Sequence, residues 1–562
     1  MPPLPAETAA PIGDRHRAGR TAIVLLTLVV GLALTLAWWI DRGRPVALPE
    51  AAARLPCVSY APFRRPGQSP FDPAAHVSPQ QIEQDLRLLR PLTACVRTYA
   101  VNQGLDAVPA VARRLGMRVK LGAWIGSDFA ANQAELQRAL AVAREHADVV
   151  DLLIVGNEVL LRRELRAEAL AALLERAKRE SPVPVSYADV WEFWLRHAAT
   201  LSGHVDIVTV HILPYWEDQP VAVDNAVEHV YAIAANVQQR LAATPVLVGE
   251  TGWPAAGRQR AGALPGRLEQ ARFVRELAAR AQREPLDFNL IEGFDQPWKR
   301  ALEGAMGGAW GLFDSAGVER FPWSGAVERD PDAWRGLLAA TLAGAAGFAA
   351  GLARWRAIVA AFVTGLASAS IAALGLAQWQ AMMAWNRTPI EWVLGGAATL
   401  AALLCSLLAA AAIAARLAGH GDAATAGIAR SLFGPPAAGR ALGIARAAVL
   451  FVAATLALQL VFDGRYREFA WPLLAAPALL LVALRFAGER LDADAREERL
   501  LALTMAGCAP AIVAIEGLHN TQALGFAALL LALAGACGRP QRAGRTSTSA
   551  ASSVAGAARP AE

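Results

Sequence analysis

Two glutamates lie at the ends of apolar, β-prone runs, Glu158 in DLLIVGNEV and Glu250 in PVLVGETG. Tyrosine and tryptophan follow several similar runs. Aromatic rings stack on the apolar faces of sugars, and a pair of carboxylates can protonate a leaving oxygen and stabilise an oxocarbenium-like centre. This combination indicates chemistry at a glycosidic bond. The alternative is that the two glutamates are structural members of ion pairs, for example with Arg97.

Both glutamates belong to a regular series of eight such runs, which alternate with helical segments. The runs span residues 57–62, 95–100, 118–125, 151–159, 184–190, 206–212, 245–252 and 288–295. Eight strands alternating with helices over about 250 residues are typical of a TIM barrel. A doubly wound sheet would need a phosphate-binding turn, and neither GxGxxG nor GxxxxGKS/T follows any of the runs.

Catalytic side chains of a TIM barrel lie at the carboxyl ends of its strands. We therefore take Glu158 and Glu250 as the catalytic pair. The candidates for substrate binding are Asn157, Tyr99, Tyr187, His211, Tyr215, Trp216, Trp253, Asp295, Trp298 and Lys299. The alternative for the aromatic residues is packing, and for His211 it is a hydrogen bond within the core. No spacing of cysteine and histidine indicates a zinc site, so we predict neither a metal nor a cofactor.

The segments VGNE at 155–158 and GETGWP at 249–254 resemble the two active-site signatures of glycoside hydrolase family 17, the β-1,3-glucanase family. The segments VSYAPFRRPGQSP, VRTYA, HILPYWED and FDQPWK are similar to its bacterial, membrane-associated branch, which includes cyclic and periplasmic β-glucan processing proteins. The resemblance covers residues from about Cys57 to Trp323.

This resemblance implies that Glu158 is the general acid/base and Glu250 the nucleophile of a retaining double displacement. It also implies that Asn157 binds the 2-hydroxyl of the sugar. The sequence departs from the family pattern in one place, because Gln296 stands where plant members carry a glutamate. Lys299 and Glu303 still resemble the family's following Lys and Glu. Whether this sequence keeps the family's additional carboxylates near the catalytic pair is therefore left open.

The whole chain is too apolar for a soluble protein. Of its 562 residues, 55% are hydrophobic and 18% charged, against roughly 45–50% and about 25% in soluble domains. The stretches without Asp, Glu, Lys or Arg are 21–40, 336–353, 357–383, 392–415, 447–462, 469–484, 500–515 and 521–538. Since a spanning helix needs about 17–25 mostly apolar residues, the expected fold class is α/β, a (β/α)8 TIM barrel, plus an all-α polytopic membrane region.

The predicted organisation has five parts. They are a cytoplasmic amino terminus (1–20), a transmembrane signal anchor (21–40), a periplasmic barrel (45–335), a membrane domain of about seven helices (336–538) and a disordered cytoplasmic tail (539–562). With the amino terminus inside, the loops that would be cytoplasmic hold most of the arginines, as the positive-inside rule requires. The shortest apolar runs could instead be re-entrant, and we place Glu516 and His519 at the membrane interface.

The sequence thus predicts a multi-pass protein of the bacterial inner membrane that hydrolyses or transfers β-1,3(1,6)-glucan on the periplasmic side. Its expected partners are β-glucan, the lipid bilayer and a separate β-glucan synthase. Two alternatives remain, a plain endo- or exo-β-1,3-glucanase and a non-catalytic glucan-binding subunit of a synthase. A transporter is disfavoured because the later apolar runs hold few polar residues.

Two further points follow from charge and cysteine content. The net charge is +5, but the arginines cluster beside apolar runs instead of forming a basic stripe with interleaved aromatics, which excludes nucleic acid as a partner. Cys57 and Cys95 both lie in the predicted exported barrel and could form a disulfide there. Free buried cysteine is equally common, so the sequence leaves their state open.

Overall fold

A computed structural model describes most of the chain. The described residues are 12–50, 54–242, 244–420, 427–434, 439–489 and 495–537. The predicted tail at 539–562 and residues 1–11 of the predicted amino-terminal segment lie outside them.

Eight parallel strands form a closed barrel in sequence order. The strands are β1 (Cys57–Ser59), β2 (Cys95–Arg97), β3 (Arg118–Ala123), β4 (Val150–Asn157), β5 (Val185–Val190), β6 (Ile207–His211), β7 (Val246–Thr251) and β8 (Phe288–Leu290). The barrel closes where β8 pairs with β1, with Cys57 opposite Asn289 and Val58 opposite Leu290. Each predicted β-prone run overlaps one strand, so the barrel prediction is confirmed.

Helices connect the strands of the barrel. They are α2 (Pro79–Leu89), α3 (Val108–Leu115), α4 (Phe129–Glu145), α5 (Ala167–Glu180), α6 (Trp191–Leu201), α7 (Val223–Arg240) and α8 (Arg267–Ala281), followed after β8 by the short α9 (Arg300–Glu303). Local residues fix the start of helix α2, because the Ser78 side chain accepts a hydrogen bond from the Gln81 N–H and Pro79 occupies the first turn. Its residues Ile82 and Leu86 are fully buried.

Successive side chains of β4 point alternately into two separate apolar clusters. Leu153 and Val155 join the large cluster shared by strands and helices. Leu152 and Ile154 point the other way, as neighbours in a strand must, and pack in a separate cluster with Ala188 and Leu247. Both layers hold the strand ends in place at the mouth of the barrel.

A disulfide joins Cys57 to Cys95 at the first residues of β1 and β2. The bond crosslinks two neighbouring strands that are 38 residues apart in the chain. Cys57 and Cys95, whose state the sequence left open, are therefore disulfide-bonded in the structure.

Long apolar helices flank the barrel in the chain. They are α1 (Ile12–Arg42), α10 (Trp334–Trp355), α11 (Ile358–Trp385), α12 (Pro389–Leu417), α14 (Arg440–Phe462), α15 (Trp471–Phe486), α16 (Arg496–Glu516) and α17 (Thr521–Cys537), with the short α13 (Ile428–Phe433) between α12 and α14. Among the described residues, six of these helices are long and apolar enough to cross a membrane, whereas α15 and α17 are shorter. Each predicted apolar run coincides with one long helix.

Several contacts connect the barrel region with the apolar helices. Val46–Ala47 and Ala326–Val327 pair as a small antiparallel sheet where the chain enters and leaves the barrel. Three connections between apolar helices reach the barrel as well: Arg387 donates to the Arg300 carbonyl, Gly464 accepts from Arg258, and Asn520 donates to the Gln259 carbonyl.

Candidate active site

Glu158 stands at the carboxyl end of β4 on an unusual turn. Its φ of 54° and the φ of 90° at Gly156 both lie in the left-handed region. A Cβ at Gly156 would lie 2.8 Å from Val159 Cγ2, so glycine is required there. The Glu158 N–H is fixed by a 2.8 Å hydrogen bond to the Ala188 carbonyl. This turn leaves the Glu158 side chain 24% exposed at the barrel mouth.

Glu250 lies on β7 and is held by two donors from the β2 end. The Arg97 guanidinium donates to Glu250 Oε1 at 3.0 Å and the Tyr99 hydroxyl donates to the same oxygen at 2.8 Å. Arg97 also binds the Gly249 carbonyl at 2.9 Å and Asn157 Oδ1 at 2.6 Å. Because both donors reach Oε1, the second carboxylate oxygen is the one available for bond formation.

His211, at the end of β6, lies between the two glutamates. Its Nδ1 is 2.8 Å from Glu158 Oε1 and its Nε2 is 3.6 Å from Glu250 Oε1. The facing atoms of these three residues all lie within 4.8 Å of one another. Carboxyl groups of retaining glycosidases are about 5–5.5 Å apart and those of inverting enzymes about 6.5–9.5 Å. One carboxylate oxygen of each glutamate therefore lies within 4.8 Å of the other, nearer the shorter of these two separations.

The surroundings of Glu250 favour its charged form. Burial alone would raise the pKa of the Glu250 carboxyl, but the charges of His211 and Arg97 and the hydrogen bond from Tyr99 hold this pKa below its ordinary value. Burial raises the pKa of Tyr99, so its hydroxyl stays protonated and remains a donor. Glu250 is therefore ionised at neutral pH, as a nucleophile must be.

A second set of charges lies beside the pair, and one of its members, Glu292, was not identified from the sequence. Glu292, just beyond β8, is fully buried and accepts a hydrogen bond from Lys299 Nζ at 2.8 Å. Burial raises the pKa of Glu292, against the attraction of Lys299. Burial also raises the pKa of Glu303 to about 7. Gln296 donates to the Ala61 carbonyl at 2.7 Å and accepts from the Trp298 indole N–H. The sequence feature that could have identified Glu292 is its position in FNLIEGFD, the last of the eight predicted β-prone runs.

The predicted substrate-binding residues fall into two groups by burial. Those with exposed surface at the mouth are Tyr99, Asn157, Trp216, Trp298 and Lys299. Those that are buried are Tyr187, His211, Tyr215, Trp253 and Asp295.

Four buried members of the set form the wall behind the site. The Tyr187 hydroxyl donates to Asp189, and the Tyr215 hydroxyl donates to the Arg258 carbonyl at 2.7 Å. Trp253 donates from its indole to the Leu264 carbonyl at 3.0 Å. Asp295 accepts from the Gly311 N–H and pairs with Arg320. Because these rings and this carboxylate are buried and have protein partners, they position neighbouring residues and offer no free face to a sugar.

Glu158, His211 and Glu250 also form a group of three side chains that could reach one metal ion. Arg97 lies 3.0 Å from Glu250 Oε1 and 3.5 Å from His211 Nε2. A guanidinium this close places a fixed positive charge where a cation would sit, and electrostatic repulsion disfavours the ion.

A parallel eight-stranded barrel with two convergent glutamates at its mouth defines a protein of the glycoside hydrolase class. Residues 57–311 match the model of the BtgE/BtgC glycoside hydrolase domain. A glucan 1,3-beta-glucosidase of Schizosaccharomyces pombe is 30% identical over 235 residues, which cover 38% of this chain and 72% of that protein. The chain belongs to this BtgE/BtgC glycoside hydrolase family.

Other proteins are similar over the same region. A probable beta-glucosidase btgE of Aspergillus fumigatus is 28% identical over 226 residues, 39% of each chain, so this chain spans well under half of that relative's length. An active-site mutant of Rhizomucor miehei beta-1,3-glucanosyltransferase, in complex with laminaritriose, is 24% identical, with a TM-score of 0.42 over 47% of this chain and 95% of that one. The sequence-based resemblance to a glycoside hydrolase family is confirmed for this domain.

Proposed function

We propose that the protein is a membrane-anchored, retaining enzyme that cleaves and remodels β-glucan outside the cytoplasmic membrane. The observation that carries this proposal is the approach of Glu158, His211 and Glu250 to within 4.8 Å. An inverting enzyme holds a water between its second carboxylate and the sugar, on the side opposite the acid. The spacing of Glu158 and Glu250 leaves no room for such a water. A direct attack by Glu250 fits the space instead.

In the first step, the free oxygen of Glu250 attacks the anomeric carbon, the bond to the leaving oxygen breaks, and Glu158 gives its proton to that oxygen. In the second step, Glu158 takes a proton from a water or a sugar hydroxyl, whose oxygen attacks the anomeric carbon and releases Glu250. Arg97 and Tyr99 keep Glu250 ionised and oriented for both steps. Asn157, bound to Arg97 through its Oδ1, keeps its amide donor for the 2-hydroxyl.

The substrate class rests on the relatives. The Schizosaccharomyces pombe relative is named a glucan 1,3-beta-glucosidase, which supports a β-1,3-linked glucan. Trp216 and Trp298 are half-buried rings at the mouth and are the proposed sugar-stacking residues, with Lys299 beside Trp298. Whether water or a sugar hydroxyl ends the reaction distinguishes a glucanase from a transglucosylase. We favour transfer, because a tethered barrel would meet a high concentration of glucan emerging from a separate synthase.

The proposed location is the bacterial inner membrane, with the barrel in the periplasm, as in the membrane-anchored branch that the motifs resemble. If all eight long apolar helices cross the membrane, alternation puts three connections on the barrel's side, those at 386–388, 463–470 and 517–520. These are the connections that contact the barrel through Arg387, Gly464 and Asn520. The disulfide between Cys57 and Cys95 further supports an oxidising compartment.

The test is to incubate the full-length, detergent-solubilised protein with laminari-oligosaccharides and resolve the lengths, linkages and anomeric configuration of the products. Products with the β configuration, some longer than the input at high substrate concentration, are expected. Only shorter β products at every concentration would mean a plain glucanase. Products with the α configuration would exclude the retaining mechanism, and complete inactivity toward β-glucans would favour a non-catalytic glucan-binding subunit.

A further inference from the structure

The connection between α14 and α15 brings an aromatic residue of the apolar helical region to the barrel mouth. Tyr466 lies in this connection and its ring centroid is 6.3 Å from that of Trp216, which follows β6. The Tyr466 side chain is 37% exposed, and Trp216 is half-buried. In contrast, Tyr215, whose ring stacks on Trp216 at 5.9 Å, is fully buried. Trp216 and Tyr466 therefore differ from Tyr215 in keeping solvent-accessible surface.

Tyr466 also contacts the segment that follows β8. A Cβ built at Gly304 would be 3.1 Å from the Tyr466 carbonyl oxygen and 3.3 Å from Tyr466 Cβ, so the two backbones are in direct contact. The residue before this glycine is Glu303, whose carboxyl pKa is raised by burial and further by the charges of Glu292, Glu158 and Glu250. Tyr466 therefore contacts a segment whose neighbouring carboxyl feels the charges of both catalytic glutamates.

Hydrogen-bond donors flank both rings. The Arg260 guanidinium lies 5.0 Å from the Trp216 ring centroid, and the Arg465 guanidinium lies 5.3 Å from the Tyr466 ring centroid. A pyranose presents apolar C–H faces to aromatic rings and hydroxyl groups around its edge. Two accessible rings with guanidinium donors beside them offer both kinds of contact to a neutral sugar.

The connection is fixed against the barrel by residues of the loop after β7. Arg258, whose side chain is 3% exposed, pairs with Glu516 at the end of α16 and donates to the Gly464 carbonyl, two residues before Tyr466. The next residue, Gln259, holds the neighbouring connection between α16 and α17, because it donates to the His519 carbonyl at 2.9 Å and accepts from the Thr521 hydroxyl at 2.8 Å. A ring held by such contacts is pre-organised, so less entropy is lost when it binds a ligand.

We propose that Tyr466 and Trp216 together form a composite subsite for a glucosyl unit of the β-glucan chain, so that the membrane region supplies one wall of the binding cleft. This inference rests on the proposed function. The subsite lies beyond the catalytic pair, so a long oligosaccharide reaches it while a short one bound at the glutamates does not. The competing explanation is that Tyr466 only docks the barrel onto the helices.

The experiment uses the full-length chain carrying Glu250→Gln, which prevents turnover, in detergent or nanodiscs. Isothermal titration calorimetry measures the Kd of a short and of a long laminari-oligosaccharide. Tyr466→Leu keeps an apolar side chain at the contact and removes the ring, whereas Tyr466→Phe keeps the ring. Tyr466→Leu is expected to weaken binding of the long oligosaccharide by about two- to tenfold and to leave the short one unaffected. Tyr466→Phe is expected to bind the long one nearly as the parent does.

Phe462→Leu is the matched control, since this aromatic residue lies four positions earlier and its side chain is 82% exposed. It should bind both oligosaccharides like the parent. Equal Kd values for the long oligosaccharide in the parent and in Tyr466→Leu would overturn the composite subsite alone. Equal losses for the short and long oligosaccharides would also overturn it, because that pattern follows from a displaced barrel. Failure of the parent to bind either oligosaccharide would overturn the proposed function together with the subsite.

Discussion

His211 contacts Glu158 and Glu250 through its two ring nitrogens, Nδ1 at 2.8 Å from the first and Nε2 at 3.6 Å from the second. The imidazole is 1% exposed and packed at the end of β6. Its rigid ring therefore sets the separation of two carboxylates that come from strands on different sides of the barrel. This places His211 as a positioning residue for the pair.

Glu158→Gln and Glu250→Gln should each reduce turnover of laminari-oligosaccharides by at least about 10²–10⁴-fold, because each removes proton transfer or nucleophilic attack. The measurement is steady-state kinetics of the full-length protein, with circular dichroism to verify the fold. Glu168→Gln makes the same chemical change at an exposed position at the start of α5 and should act like the wild type. Near-normal turnover in either active-site variant would remove the catalytic assignment.

Tyr99→Phe should move the acidic limb of the pH profile to higher pH. The Tyr99 hydroxyl helps to lower the pKa of Glu250, so its removal raises that pKa, and the nucleophile becomes protonated at a higher pH. Loss of a hydrogen bond to a charged group should also reduce kcat/KM at the optimum by about tenfold.

The pH dependence of kcat/KM measures this shift, since it reports groups of the free enzyme. Tyr231→Phe is the control, because its hydroxyl bonds the Glu284 carbonyl on the outside of the barrel at 2.9 Å. An acidic limb that stays in place, or moves to lower pH, in Tyr99→Phe would contradict the electrostatic role assigned to this hydroxyl.

The strands, the two glutamates at their ends, and Arg97 as a possible ion-pair partner could be predicted from the sequence, but the contacts that join these groups could not. Glu158 and Glu250 each end an apolar run, and the local pattern marks both. Arg97 lies 153 positions from Glu250 in the chain, and no local pattern encodes a contact that depends on barrel closure. Glu292 was missed for the same reason, because only the fold shows that Lys299 turns back onto it. The burial of Trp253 likewise depends on helices packed outside the barrel.

Reporter fusions test the proposed topology. A reporter inserted at Gly325, in the turn before α10, should be active in the periplasm, and one at Gly419, after α12, should be active in the cytoplasm, as alternation of the helices requires. Alkaline phosphatase and green fluorescent protein provide opposite readouts for each site. A cytoplasmic signal at Gly325 would separate the barrel from exported glucan and contradict the proposed location.

Glu516→Ala should lower the thermal stability of the protein. It removes the partner of Arg258, whose side chain is 3% exposed, and also a hydrogen bond from Asn520. Leaving a buried charge without its partner costs about 3–5 kcal/mol, and the midpoint of thermal unfolding in one fixed detergent measures the loss. Glu497→Ala is the control, because Glu497 is exposed on the same helix. Equal midpoints for both variants would show that the contact with Arg258 contributes nothing to stability.

The left-handed backbone at Glu158, with a φ of 54°, sets stability against activity at a single position. A non-glycine residue in this conformation costs about 1–2 kcal/mol relative to glycine. Directed evolution that selects only for heat resistance would therefore enrich glycine or asparagine at position 158 and discard the acid/base carboxylate. Selection of thermostable variants of this protein must therefore include an assay of sugar turnover in every round. The substitution that most readily raises stability at the barrel mouth abolishes catalysis.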